Sequence, residues 1–151
     1  MAGGKADLPG AVLFACNRNS VRSPMAAAIL HHLAGKRVYV ESAGVRPGEP
    51  DAFAIAVMEE LGIDMSKHRP MSIANLHDTS FDLIVSLAPE AHHQALELTR
   101  AQAVDVEYWP TPDPTLASGN REQILSAYRC VRDGLFNRIK QRFPLAGAPS
   151  V

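Results

Sequence analysis

Short apolar runs alternate along the chain with longer segments in which apolar residues recur every three or four positions. The short runs contain many valine, isoleucine and aromatic residues, which is typical of buried strands. Strands that alternate with helices favour a parallel sheet covered on both faces. The pattern therefore predicts an α/β fold, a three-layer αβα arrangement with a four-stranded parallel sheet. The predicted strands span residues 11–15, 37–42, 83–87 and 103–108.

Helices are predicted between these strands, and several have a recognisable start or end. Ser23 followed by Pro24 is typical of an N-cap and first turn, and Gly35 is placed to end that helix. Asp51 is expected to cap a second helix, which Gly62 ends. The predicted helices span residues 23–34, 51–61, 89–100 and 121–142, with a short turn at 72–76.

Composition adds that these elements belong to one folded unit. The chain has 151 residues, of which 46% are hydrophobic and 21% charged, as in ordinary globular proteins. That length suits a single core, so we expect one domain over residues 1–151. The ends, residues 1–9 and 144–151, have no periodic pattern and are expected to be flexible.

Net charge, the length of apolar runs and cysteine content limit the partners and the location that are expected for this chain. The formal net charge is −1, so a broad cationic surface for nucleic acid is not expected. No apolar run approaches the roughly 18 residues of a membrane span, so no membrane partner is expected. Cys16 and Cys130 are too few for a disulfide scaffold, which favours a reducing, cytoplasmic location.

The sequence also gives no reason to expect a metal or a cofactor. The only neighbouring histidines are His31-His32 and His92-His93. Adjacent residues on a helix point about 100° apart, so neither pair can chelate an ion from one face. Surface histidines are expected instead. Glycine patterns for binding a dinucleotide or a nucleotide triphosphate are absent from the sequence.

Residues 16–23, between the first predicted strand and helix, have the features of an oxyanion site. Such a turn directs backbone N–H groups inward at the positive end of a helix. The same field stabilises Cys16 as the nucleophilic thiolate. Arg22 can donate two hydrogen bonds to phosphate oxygens, and Ser23 can donate to the sulfur or cap the helix. The other candidate substrate-binding residues are Asn17, Arg18, Asn19, Ser20 and Val21.

The alternative for Cys16 is a structural cysteine buried at the end of a strand. The spacing of strand, cysteine, five residues, arginine, serine and proline favours the anion site instead.

Asp113, between Pro112 and Pro114, is the candidate general acid. An alkoxide or phenoxide leaving group needs a proton as the P–O bond breaks, and a carboxylic acid over the anion site can supply it. An Asp-Pro pair taken alone is more typical of a turn. The presence of the thiolate loop in the same chain favours the acid.

The signature Cys-x-x-Asn-x-x-Arg-Ser-Pro-Met-Ala at residues 16–26 resembles that of the low-molecular-weight protein tyrosine phosphatase family. Residues 41–44, 81–85 and 112–114 are similar to further segments of that family. The resemblance implies hydrolysis of a phosphorylated protein or small aryl phosphate through a phosphocysteine, without a cofactor, by a monomer or weak homodimer. It also implies that Asn19 adopts a left-handed turn and accepts support from Ser42.

Four positions depart from the family pattern. Arg18 stands where the family usually has glycine, so its side chain either projects into solvent or changes the local turn. Val21 stands where some members have a second cysteine. Thr115 and Leu116 follow the acid segment where tyrosine-specific members have aromatic residues, so a phosphotyrosine slot is not evident.

Two other functions remain open. Residues 68–72 and 86–90 look more like the related arsenate reductases, whose oxyanion substrate is isosteric with phosphate. Cys130 is the only other thiol and lies within a predicted helix, so reduction would need an external thiol or glutaredoxin. A non-catalytic phosphate-binding regulatory module is the third possibility, although such a module needs neither a nucleophile nor an acid.

Overall fold

The computed structural model describes residues 8–76 and 80–145. In chain order the main elements are β1 (Ala11–Cys16), α1 (Arg22–Ala34), β2 (Tyr39–Gly44), α2 (Ala52–Glu59), β3 (Leu83–Ser86), α3 (Pro89–Leu98), β4 (Asp105–Tyr108) and α4 (Arg121–Arg142). The four strands pair in parallel in the order β2-β1-β3-β4. The predicted three-layer α/β fold with a four-stranded parallel sheet is therefore confirmed.

β1 lies at the centre of the sheet and contributes to both faces of the core. Val12 and Phe14 are buried in the cluster that includes side chains of α1, α2 and α4. Leu13 and Ala15 alternate with them and are buried in the smaller cluster with α3. This alternation is the two-residue period of an extended strand. Burial on both faces explains the continuous apolar run in the sequence.

The carboxyl end of β1 meets β2 at a close approach that places the following loop. Cys16 is paired in register with Gly44, the last residue of β2. A Cβ atom at Gly44 would lie 2.7 Å from the backbone nitrogen of Asn19. Only glycine allows the two chain segments to come this near. The loop after Cys16 therefore lies directly over the end of β2.

The boundary between α1 and β2 differs from the sequence prediction. β2 begins at Tyr39, two residues later than expected, and Gly35–Arg37 forms a 3₁₀ turn. Arg37 donates through Nε to the carbonyl of Ala34 and through Nη2 to that of Leu33. These bonds satisfy carbonyls at the end of α1, so Arg37 completes the helix rather than starting the strand. The other predicted boundaries agree with the structure to within two residues.

The described ends of the chain pack against the core. Leu8 and Leu145 are partly buried against the larger cluster. The rest of the predicted flexible ends, 1–7 and 146–151, lies outside the described residues. Across residues 8–76 and 80–145, no helix has both the length and the apolar composition needed to cross a membrane.

Candidate active site

α1 begins at Arg22 with Val21 as its N-cap, so the prediction that Ser23 caps this helix was wrong. The hydroxyl of Ser23 is used elsewhere: its Oγ lies 3.0 Å from Cys16 Sγ and accepts a 2.8 Å hydrogen bond from Asn19 Nδ2. The proton of the Ser23 hydroxyl has two acceptors within reach, the sulfur at 3.0 Å and the carbonyl of Ala43 at 3.4 Å, and the sulfur is the nearer. The other possibility predicted for Ser23, donation to the cysteine, fits this geometry.

The sulfur of Cys16 lies at the bottom of the loop with two donors directed at it. The residue is 2% exposed. The backbone N–H of Asn19 donates to Sγ at 3.3 Å, and Ser23 lies on its other side. Both donors stabilise a negative charge on sulfur more than they stabilise a neutral thiol. The loop therefore places a backbone N–H and a hydroxyl directly against the sulfur.

Asn19 fixes the shape of the loop. Its φ of 56° is the only positive φ of a non-glycine residue in the described part of the chain. Asn19 Nδ2 donates to Ser42 Oγ at 2.9 Å, and Asn19 Oδ1 accepts from the backbone N–H of Met71 at 2.9 Å. The left-handed turn and the bond to Ser42 are both as expected. A left-handed asparagine is strained, so these bonds are what hold it in place.

His68 is a supporting residue that the sequence reasoning did not identify. Its Nε2 lies 2.8 Å from the carbonyl oxygen of Asn19. Since a carbonyl can only accept, the bond requires a proton on Nε2. His68 and Met71 lie 49 and 52 residues from Asn19 in sequence. The only signal was the similarity of residues 68–72 to a related family, which gave no structural role.

Arg22 links the loop to the acid segment, residues 109–114. Its Nη1 donates to the carbonyl of Thr111 at 3.0 Å, and its Nη2 lies 3.9 Å from Asp113 Oδ2. The guanidinium is mostly buried. A mostly buried guanidinium, oriented by these contacts and lining the same cleft as Cys16, is well placed to bind an oxyanion.

The carboxylate of Asp113 faces the same cleft while also forming a turn. Its Oδ1 accepts from the N–H and the hydroxyl of Thr115 at 3.0 and 2.7 Å. These bonds cap the short 3₁₀ turn Pro114–Leu116. Oδ2 has no hydrogen-bond partner among the described residues apart from the long contact to Arg22. Asp113 therefore caps the turn through Oδ1, while Oδ2 is the oxygen left for the candidate acid role.

The cleft above Cys16 has a volume of about 320 Å³. The predicted residues Asn17, Asn19, Ser23 and Ser42 do not line it, and the last three form the network behind the sulfur. Glu49, Pro50, Asp51 and Thr115 line the cleft and were not predicted as site residues. The lining residues from the predicted set are Cys16, Arg18, Ser20, Val21, Arg22 and Asp113.

Asp51 differs from Asp113 because both of its oxygens are engaged. Oδ1 caps α2 through the N–H of Ala54, and Oδ2 accepts from the hydroxyl of Tyr128. Burial and this hydrogen bond raise the pKa of Tyr128 well above its ordinary value of 10. Asp51 is therefore a structural carboxylate, as its predicted N-cap position indicated.

Arg18 projects into solvent, and the loop keeps its shape. The side chain is exposed and lies against Gly48, where an added Cβ would be 2.7 Å from Nε. Backbone bonds from Arg46 and Gly48 to the carbonyls of Asn17 and Arg18 fasten this part of the loop. Of the two outcomes expected for Arg18, the structure has the first.

Metal-ligating groups are not assembled in this structure. The described residues contain no group of three or more histidine, cysteine or acidic side chains arranged around a common point. His92 is half-buried, not on the surface as expected: its Nδ1 lies 2.7 Å from Ser86 Oγ, and its ring stacks on Tyr108.

The chain is similar in sequence to proteins named arsenate reductases. It is 31% identical over 129 residues to a glutaredoxin arsenate reductase of Synechocystis, covering 85% of this chain and 92% of that protein. It is 32% identical over 130 residues to an arsenate reductase of Bacillus subtilis, covering 86% and 92%.

Solved structures of an arsenate reductase and of a phosphatase are also similar to this chain. An arsenate reductase in the phosphate-binding state is 31% identical with a TM-score of 0.73, covering 87% of this chain and 94% of that one. A low-molecular-weight protein tyrosine phosphatase from T. tengcongensis is 26% identical with a TM-score of 0.74, covering 87% and 95%. The family model for low-molecular-weight phosphotyrosine protein phosphatases matches residues 11–141. The chain therefore belongs to the low-molecular-weight phosphotyrosine protein phosphatase family.

Proposed function

We propose that the protein hydrolyses phosphomonoesters through a phosphocysteine formed on Cys16. The observation that supports this most directly is that a donor-stabilised sulfur, the Arg22 guanidinium and the Asp113 carboxyl line one cleft. A nucleophile, an oxyanion-binding group and a proton donor are the three groups that this reaction needs.

In the first step, the phosphate group is bound by the loop N–H groups and Arg22. The thiolate of Cys16 attacks phosphorus in line with the ester oxygen, a P–S bond forms and the P–O bond breaks. Asp113, present as the carboxylic acid, gives its proton to the leaving oxygen. The alcohol or phenol then departs.

In the second step, water attacks the phosphocysteine. The carboxylate of Asp113 accepts the proton of that water, the P–S bond breaks, and inorganic phosphate and the thiolate are released. Ser23 and the N–H of Asn19 stabilise the departing sulfur. Because the cycle needs a free thiol, the proposal also places the protein in a reducing compartment such as the cytoplasm.

The proposed substrate is a phosphorylated protein or a small aryl phosphate. The described residues that line the cleft include no aromatic side chain. The aliphatic side chains that line it are Val21 and Pro50, and Leu116, the residue after Thr115, is 81% exposed. An aryl group would therefore meet an aliphatic surface rather than the aromatic walls of tyrosine-specific members.

Arsenate reduction with an external thiol is the second candidate. The similarity to proteins named arsenate reductases, one of them a glutaredoxin arsenate reductase, favours it. Cys130 is exposed and does not line the cleft, so Cys16 is the only thiol there. The two electrons for reducing arsenate to arsenite would come from Cys16 and an external thiol, which would end as a mixed disulfide.

Parallel assays on the purified protein distinguish the two candidates. We expect hydrolysis of p-nitrophenyl phosphate by the wild type and none by Cys16→Ser, while phosphate still protects both from thermal unfolding. Cys130→Ser is the matched thiol control and should keep full activity. Arsenite formation is measured with glutathione, mycothiol or glutaredoxin supplied. Arsenite production without ester cleavage would replace the phosphatase proposal with the reductase.

A further inference from the structure

A second concavity, the α4 groove, lies between the acid segment and α4. Its volume is about 570 Å³, larger than that of the cleft above Cys16. Asp113 lines both, so the groove and the cleft adjoin each other. Apolar walls come from Trp109 and Pro112 on one side and from Val131 and Leu135 on the other. Pockets that bind small molecules commonly have volumes of about 300–1,000 Å³ and mainly apolar linings.

Gly134 keeps the groove open on the α4 side. It lies in the interior of a 22-residue helix, where glycine is less favourable than alanine by about 1 kcal/mol. A Cβ atom added at Gly134 would meet no heavy atom within 4 Å, the backbone of its own helix turn excepted. The space along the groove therefore reaches the helix backbone.

Arg138 supplies a positive charge at the edge of the groove. Its guanidinium carbon lies 4.9 Å from the centroid of the Trp109 ring. Three other arginines of α4, Arg129, Arg132 and Arg142, are each paired with a carboxylate. Arg138 has no such partner among residues 8–76 and 80–145. An unneutralised guanidinium beside an apolar surface complements a ligand that has an aromatic body and an anionic end.

We propose that the α4 groove binds a small aromatic carboxylate or sulfonate. The ring system lies between Trp109 and the apolar side chains of α4, over Gly134, and the anion pairs with Arg138. Neither Cys16 nor Arg22 lines the groove. Binding of a ligand there can therefore be tested separately from the proposed phosphatase reaction.

Trp109 makes the proposal directly measurable because it is the only tryptophan in the chain. The probe is 8-anilinonaphthalene-1-sulfonate, which has the proposed aromatic body and anion and accepts energy from excited tryptophan. We expect saturable quenching of Trp109 fluorescence with one site per chain. N-phenyl-1-naphthylamine, the matched compound without the sulfonate, should bind at least about fivefold more weakly, as for loss of one charge-assisted hydrogen bond.

Two variants test the two parts of the site. Arg138→Gln should weaken probe binding at least about fivefold, whereas Lys140→Gln, which removes the same charge from α4 outside the groove lining, should not change it. Gly134→Leu should abolish the quenching by filling the groove. That variant is expected to stay folded because leucine is a better helix former than glycine, and thermal unfolding checks this.

Several outcomes would overturn the proposal. Quenching that survives both Arg138→Gln and Gly134→Leu would place the probe elsewhere on the protein. Equal affinity for the sulfonate and the neutral compound would remove the role of Arg138. Probe affinity that falls as the protein concentration rises would mean that a second copy of the chain covers the groove.

Discussion

The network behind Cys16 and the ion pairs between α2 and α4 are two polar regions with opposite surroundings. Asn19 and Ser23 are fully buried, and their side chains bond to each other, to Cys16 and to Ser42. Glu60, which pairs with Arg129 and Arg132 across the two helices, has a side chain that is 39% exposed. The first region holds a strained loop, and the second joins α4 to the end of α2 through a partly exposed Glu60 and Arg129 and a buried Arg132.

Exposure decides how much a single bond contributes in each region. When a buried partner is removed, the remaining donor or acceptor cannot turn to water, and its full desolvation cost appears. When a surface partner is removed, water replaces it and the loss is small. We therefore expect substitutions near Cys16 to have large effects and comparable substitutions between α2 and α4 to have small ones.

The largest expected contrast is in catalysis, between Asp113→Asn and Asp133→Asn. The first removes the proposed proton donor and should lower kcat for an aryl phosphate by about 10²–10⁴-fold. The second makes the same chemical change where Asp133 pairs with Arg132 on α4, and it should leave kcat unchanged. Steady-state kinetics give both values. A loss below tenfold for Asp113→Asn would assign proton donation to another group.

Asn19→Ala should destabilise the protein by about 2–4 kcal/mol, because it removes three hydrogen bonds and leaves the N–H of Met71 unpaired. Asn19→Gly loses the same bonds but relieves the left-handed strain, so it should be about 1 kcal/mol less harmful. Asn137→Ala on the exposed face of α4 is the control. Urea unfolding measures all three, and equal losses for Asn19→Ala and Asn137→Ala would refute the contrast.

Ser42→Ala isolates one bond of the buried network. It removes the acceptor of Asn19 Nδ2, which still donates to Ser23. The expected loss in the free energy of unfolding is about 1 kcal/mol, the typical net value of one hydrogen bond. A loss as large as that of Asn19→Ala would mean that Ser42 alone holds the loop.

Glu60→Gln should have the smallest effect, below about 1 kcal/mol, because the carboxylate is more than one-third exposed. Hydrogen bonds from Arg129 and then Arg132 lower the pKa of Glu60 from 4.5 to about 2. A lowered folded-state pKa stabilises the protein fully above about pH 4.5, and this stabilisation is lost as the pH falls through 2.

The difference in stability between the wild type and Glu60→Gln should therefore narrow between pH 5 and pH 2. Urea midpoints across that range measure it. A difference that stays constant would show that the ion pairs do not act through the charge of Glu60.

The fold and the local part of the site could be predicted because they depend on neighbouring residues. Short apolar runs that alternate with helical segments predicted the parallel sheet, and the spacing from Cys16 to Arg22 predicted the loop. Ser23 was wrongly placed as an N-cap because capping preference considers only the helix, whereas its hydroxyl bonds to both Cys16 and Asn19 in the loop.

The rest of the site depends on contacts between distant segments. His68 and Met71 reach Asn19 only after β2, α2 and the following loop have folded back over β1. The α4 groove likewise needs residues 109–114 and the middle of α4 to face each other. Trp109 is buried in the core, and its second position, along the wall of the groove, has no signal in the sequence.

The contact of Gly44 with the loop has a consequence for assembly of the protein. A slip of one residue in the pairing of β1 with β2 would bring Ala43 or Val45 beneath Asn19, where their side chains have no room. Correct strand alignment and a correctly shaped loop therefore require each other. When β1 and β2 are paired in this register, Gly44 lies directly beneath the loop that follows Cys16.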